Sequence, residues 1–258
     1  SEALLHAIET RPREDTTYLL LHDNRRLSWE KVMVTLQQHH ISVVKQAARL
    51  NNEGVSLLKA EQTVQAVKKF NSAIELVNHE SLDPLQYSNS VTLETPSKSQ
   101  SSWIIDASSE ILNEDDDKFY VHQRAILILP TLSQGTYSQE DLYFCVAVIS
   151  FNMAIAYHKV GRSEKSEFGY STALQFYDMT LTFTDKVAIN SNDAQQLMVA
   201  ALNNKSHANF ILGNKELAVQ NLEVLQEISG ALFFSHECAT AMITERDVDE
   251  FVRNATWI

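Results

Sequence analysis

From Trp29 to about Asn78 the chain carries apolar residues at steps of three and four, with polar residues between them. That spacing lays the apolar side chains along one stripe of an α-helix, and it predicts helix throughout, with a break near Glu61. The run SQED (Ser138 to Asp141) resembles a capping box, with Asp in place of the usual Glu or Gln, and predicts a helix from there to about Val160. Further helices are expected over about 163–184, 192–212, 214–228 and 231–242. A last one follows Thr244, whose side chain can cap the helix beginning ERDVDEF. Ahead of Trp29, TTYLLLHDNRRLSW reads as two short extended pieces around a His-Asp-Asn turn, a short β-hairpin, with Ser28 capping the first helix.

The helical pattern lapses between 81 and 137. SLDPLQYSNSVTLETPSKSQSS is rich in Ser and Thr and contains Pro84 and Pro96, which reads as a long surface insertion. The acidic run Glu114 to Asp117 closes it, and KFYVHQRAILILP then reads as an extended segment stopped by Pro130.

Composition narrows the fold class. With 258 residues, 44% hydrophobic and 21% charged, the chain can build an ample core. Only 6 Gly and 4 Pro interrupt it, which favours an all-α protein. A net charge of −12 repels a phosphate backbone, so nucleic acid is not an expected partner. Cys145 and Cys238 cannot staple a fold of this size, and Cys145 lies in the apolar run LYFCVAVI; a reducing, cytoplasmic setting is the simpler inference. The longest apolar run, Leu142 to Tyr157, falls short of the ~20 residues of a membrane span and contains Ser150 and Asn152, so it reads as a buried helix and no membrane partner is expected. The chain begins at Ser1 without methionine, which leaves room for a removed targeting segment.

Three pieces superimpose: LNNEGVSLLKAEQTVQAVKKFNSAIEL from Leu50, SFNMAIAYHKVGRSEKSEFGYSTALQF from Ser150 and LNNKSHANFILGNKELAVQNLEVLQEI from Leu202. Each reads as helix, turn, helix. Small residues recur where two helices would touch, and larger ones a turn away. They are Gly54, Leu57, Ala66, Phe70 and Ala73; then Ala154, Tyr157, Gly161, Ser166, Tyr170 and Ala173; then Ser206, Gly213, Ala218, Leu222 and Leu225. This pattern resembles the tetratricopeptide repeat (TPR) family, over roughly half the chain. Early tryptophans and closing prolines are missing. Gly54 and Ala154 are 100 positions apart and Gly161 and Gly213 are 52 apart, against a usual period of about 34, which implies an insertion and lengthened helices. An unrelated helical bundle is the alternative.

The resemblance implies a single domain forming a right-handed superhelical array of antiparallel helix pairs: 41–80, then the 81–137 insertion, 138–184, 192–228, and capping helices over 231–258. It also implies a concave groove for a peptide, lined by the first helix of each pair. The lining would be Asn51, Val55 and Lys59; Phe151, Asn152, Ile155, His158 and Lys159; and Asn203, His207 and Phe210. Asparagine and lysine suit a peptide's main chain and carboxylates, and phenylalanine suits an apolar side chain. The family's chaperone-carboxylate clamp is not matched, since Asn51 stands where its first lysine belongs and Val55 where an asparagine belongs.

Catalytic signatures are not found: the chain has no Gly-x-Ser-x-Gly, phosphate-cradling loop, dinucleotide fingerprint or His-Glu-x-x-His. His39-His40 lacks further ligands at metal spacing, and Asp115–Asp117 lacks the alternation of a calcium loop. The expectation is a non-enzymatic interaction scaffold with no cofactor. Alternatives are a structural subunit using the convex face, or an enzyme or small-molecule sensor with a site between array and insertion. Charge adds one feature. Lys45, Arg49, Lys59, Lys68 and Lys69 face only Glu53 and Glu61 over 41–70, whereas Glu216 to Glu250 holds eight acids and one base, Arg246. Acidic segments would be steered to the amino-terminal pair, the run Glu114 to Asp117 among them.

Overall fold

The computed structural model describes residues 41–81, 103–107, 121–130, 139–187, 192–233 and 253–254. All but Ile41 belong to one compact unit, Ser42–Ile258. Those residues are mostly helical. The helices are α1 (described over 42–59), α2 (Thr63–Ser81), α3 (Gln139–Glu164), α4 (Glu167–Thr184), α5 (Asn192–Ile211) and α6 (Lys215–Phe233). Strands β1 (Trp103–Ala107) and β2 (Ile126–Pro130) pair antiparallel, with Ile105 opposite Ile128 and Asp106 opposite Leu127.

Helix α1 buries Val43, Val44, Ala47, Ala48, Val55 and Leu58, and α2 buries Ala66, Phe70, Ala73, Ile74 and Val77, which are the stripes their spacing predicts. Helix α3 is different. Every residue from Phe144 to Ala156 is buried, so this helix is enclosed on all sides. Among the described residues α3 alone is long and apolar enough to cross a membrane, yet most of that stretch is buried within the protein.

Three turns of one design fold the second helix of each pair back on the first. Glu61, Lys165 and Gly213 each take a left-handed conformation, with φ of 59°, 49° and 82°. In each case the next N–H reaches back to a carbonyl in the last turn of the preceding helix: Gln62 to Leu57, Ser166 to Gly161 and Asn214 to Asn209. This satisfies carbonyls that a helix end leaves open. Successive helices then pack in chain order, α2 on α3, α3 on α4, α4 on α5 and α5 on α6.

Two expectations need correction. The second break falls at Lys165, not Gly161, because Gly161 is a contact residue. A Cβ on its neighbour Gly169 would lie 2.5 Å from the Gly161 nitrogen, and one on Gly161 would lie 3.0 Å from the Tyr170 ring. The pair of glycines lets α3 and α4 approach at main-chain distance, and α3 runs about one turn further before it is capped. Nor is there a break between 228 and 231, since α6 continues to Phe233. Strand β1 forms within the stretch read as a loop insertion, and β2 coincides with the segment read as extended. The expected hairpin before Trp29, the caps at Ser28 and Ser138, the acidic run Glu114 to Asp117 and most of the last helices lie outside the described residues.

Candidate functional site: an asparagine-lined groove

Residues 121–130 run extended across α1, α3 and α5, and one asparagine from each helix holds them. Asn52 of α1 donates through Nδ2 to the Ile128 carbonyl (2.7 Å) and accepts from the Ile128 N–H (2.8 Å). Asn152 of α3 does the same for Ile126, at 2.8 Å each way. Asn204 of α5 does so for His122, at 2.7 Å each way. A carboxamide offers one acceptor and two donors, so it can close both main-chain bonds of one residue as a neighbouring strand would. The even-numbered residues of β2 thus turn their polar edge to the helices. Leu127 and Leu129 stand opposite Asp106 and Ile104 of β1 on the other side.

Support behind the clamps is polar and buried. Asn51 Nδ2 also donates to the Ile126 carbonyl (3.0 Å), and its Oδ1 accepts from Asn152 (2.8 Å). Asn203 donates to Asn204 (3.2 Å) and accepts from Asn254 (2.7 Å), which ties residues 253–254 to the site. Beneath Asn204 a chain of rings continues. Asn204 Nδ2 donates to the Tyr177 hydroxyl at 3.2 Å, Tyr177 lies 3.0 Å from His158 Nδ1, and His158 Nε2 lies 2.9 Å from His207 Nδ1. The two imidazoles also stack, with centroids 5.0 Å apart.

Burial sets the ionisation of these groups. Loss of water lowers the His158 pKa well below its ordinary range, and the neighbouring His207 and Arg162 add to the effect. Burial, aided by Arg124, lowers that of His122 to about 3, and burial raises the Tyr177 hydroxyl above its ordinary value. Cys145 is pushed up to about 12, so it stays a thiol. Neutral imidazoles and a neutral phenol in this setting hold main chain and one another in place.

Of the residues expected on an open wall, Asn51, Asn152, Asn203, His158 and His207 meet here, but the wall is covered by the chain itself. Asn51, Val55, Phe151, Asn152, Ile155, His158, Asn203 and His207 are all buried. Asn51, Asn152 and Asn203 belong to the clamp network. His158 and His207 form the ring pair behind it. Phe151 packs as core, with its ring 5.9 Å from that of His122 and 6.1 Å from Tyr177, and Val55 and Ile155 are core as well. Lys59 is exposed, and Lys159 and Phe210 are half-buried. Within the first pair Glu53 accepts from both Lys69 (2.7 Å) and Arg49 (2.9 Å), and these contacts hold its carboxyl below the usual range. Among the described residues no cluster of three or more metal-ligating side chains occurs.

Asn52 and Asn204 were missed as site residues, although a signal for them existed. When the three pieces are superimposed, the third position is Asn52, Asn152 and Asn204, and these are the three clamps. No family model, curated protein or solved structure matches the chain.

Proposed function

We propose that the chain is a non-enzymatic interaction protein, built as a TPR-like array of helix pairs, which grips an extended protein segment along α1, α3 and α5. One observation carries this reading: the same position of each helix pair supplies a carboxamide that closes both main-chain bonds of one residue. Three turns of one left-handed design and small residues at the helix contacts support the repeat architecture. Main-chain capture of this kind adds a segment as if to a sheet edge, a recurrent way of binding peptides. The net charge of −12 argues for a protein partner over nucleic acid.

A photoreactive residue at Lys59 or Lys159, about two helical turns beyond Asn52 and Asn152 on α1 and α3, tests the reading. Cross-links from these positions to a defined segment of another protein support it. A second reading, a structural subunit, draws on the exposed aliphatic residues Leu217, Val219 and Val224 of α6. Cross-links arising at position 217 or 224 and absent at 59 and 159 would replace the first reading by the second.

A further inference from the structure

We propose that segment 121–130 is an exchangeable resident of the groove. Its competitor is an extended segment of another protein, with branched aliphatic residues at alternate positions, that takes over the asparagine clamps. This inference rests on the groove reading above and adds to it the chemistry of the partner and the way its entry is controlled.

The helical stack does not run through the segment. Each helix from α2 to α6 packs directly on the next, so the array is continuous with or without a strand across it. The segment is set apart in the chain as well, with 39 residues between the end of α2 and position 121, and 8 between Pro130 and the start of α3. Its grip is on main chain. The six bonds from Asn52, Asn152 and Asn204 reach N–H and C=O groups that every residue except proline possesses. Selectivity is therefore left to side chains. Ile126 and Ile128 point to the same face of the strand, two residues apart, at 0% and 2% exposure. A replacement must fill both places, which calls for Ile or Val in the pattern aliphatic-x-aliphatic and excludes a charge at either. Keeping the antiparallel pairing with β1 further requires that it run in the direction of β2.

Tethering explains why such a groove would stay shut at rest. A segment joined at both ends competes at an effective concentration on the order of millimolar, so a free peptide of equal fit binds poorly. A partner gains entry when it adds contacts elsewhere or when the resident is weakened. Residency is then an autoinhibitory contact, and the resident's own sequence describes the ligand.

The test uses the full chain and a fluorescent synthetic peptide of its residues 120–130, YVHQRAILILP. In the double variant Ile126→Asp/Ile128→Asp, two carboxylates would have to enter apolar sites, which expels the resident. The variant should stay helical and bind the peptide at least tenfold more tightly than the wild type does. Adding Asn52→Ala should weaken that binding, and a peptide with both isoleucines replaced by Asp should not bind. A folded double variant that ignores the peptide overturns the proposal. So does sedimentation showing that the wild type already places the segment in a second copy. If the double variant unfolds, the wild type in a large excess of peptide decides: faster hydrogen exchange at the chain's own Ile126 and Ile128 amides supports exchange, and unchanged rates overturn it. Cross-links at Lys59 together with failed exchange would remove this inference alone and leave the groove reading standing.

Discussion

Asn152 concentrates the argument at the residue scale, since one side chain closes both main-chain bonds of Ile126 and donates to Asn51. Asn152→Ala leaves the buried Ile126 N–H without that partner, and a stability loss of about 1–3 kcal/mol is expected in urea unfolding. Asn152→Asp should cost more. It keeps an acceptor for the N–H but sets a carboxylate oxygen against the Ile126 carbonyl and Asn51 Oδ1, and it buries a charge. The histidines give a pH signature. His122 and His158 have pKa values lowered by folding, so they stay neutral where the unfolded chain's imidazoles, near 6.5, take up protons. Their contribution is therefore complete above about pH 6.5 and is lost as pH falls below it. For His122 the loss amounts to about 1.4 kcal/mol per pH unit until pH nears its folded value of about 3. Urea midpoints should fall between pH 7 and pH 5, and His122→Phe should flatten that slope.

Glycines at the element scale divide by what surrounds them. Gly169 lies where α3 and α4 touch, and an added Cβ would come within 2.5 Å of main chain that cannot rotate away. Gly213 closes the α5–α6 turn at φ 82° with nothing within 4 Å of an added Cβ. Gly169→Ala should thus force two helices apart and cost about 1–3 kcal/mol or more. Gly213→Ala meets only the strain of the left-handed conformation, about 1 kcal/mol. In a unit of this size each kcal/mol moves the melting temperature by roughly 2–4 °C. Thermal melts in which the Gly213 variant suffers more than the Gly169 variant would contradict the packing described between α3 and α4.

At the scale of the whole molecule, the extended segment joins elements far apart in the chain. Asn52 and Ile128 are 76 residues apart, and Asn204 and His122 are 82 apart. If these clamps persist in solution, the amides of His122, Ile126 and Ile128 should exchange with deuterium far more slowly than those of an open loop. Helix α3 is the internal standard, because the segment lies on it and every residue from Phe144 to Ala156 is buried. Exchange at unprotected rates for all three amides would mean that the groove is open in solution.

Periodicity by itself predicted helix across the described parts of α1 to α6 and the break near Glu61, and the repeat pattern shared by three pieces predicted the break at Gly213 and the burial of Ala66 and Ala173, both fully enclosed. These are local matters, because a stripe at helical spacing and a left-handed residue act within a few positions of themselves. The placement of Asn51, Asn152 and Asn203 along one face was implied by the family resemblance, whereas the offset shared by the three pieces points to Asn52, Asn152 and Asn204. Tertiary structure alone decided what lies against that site. A buried stripe records that something covers a helix, but it carries no information about which segment does so from 76 residues away. It also decided the role of Gly161, since a glycine that ends a helix and one that admits a neighbouring helix look alike in sequence. Only the approach of Gly169 distinguishes them.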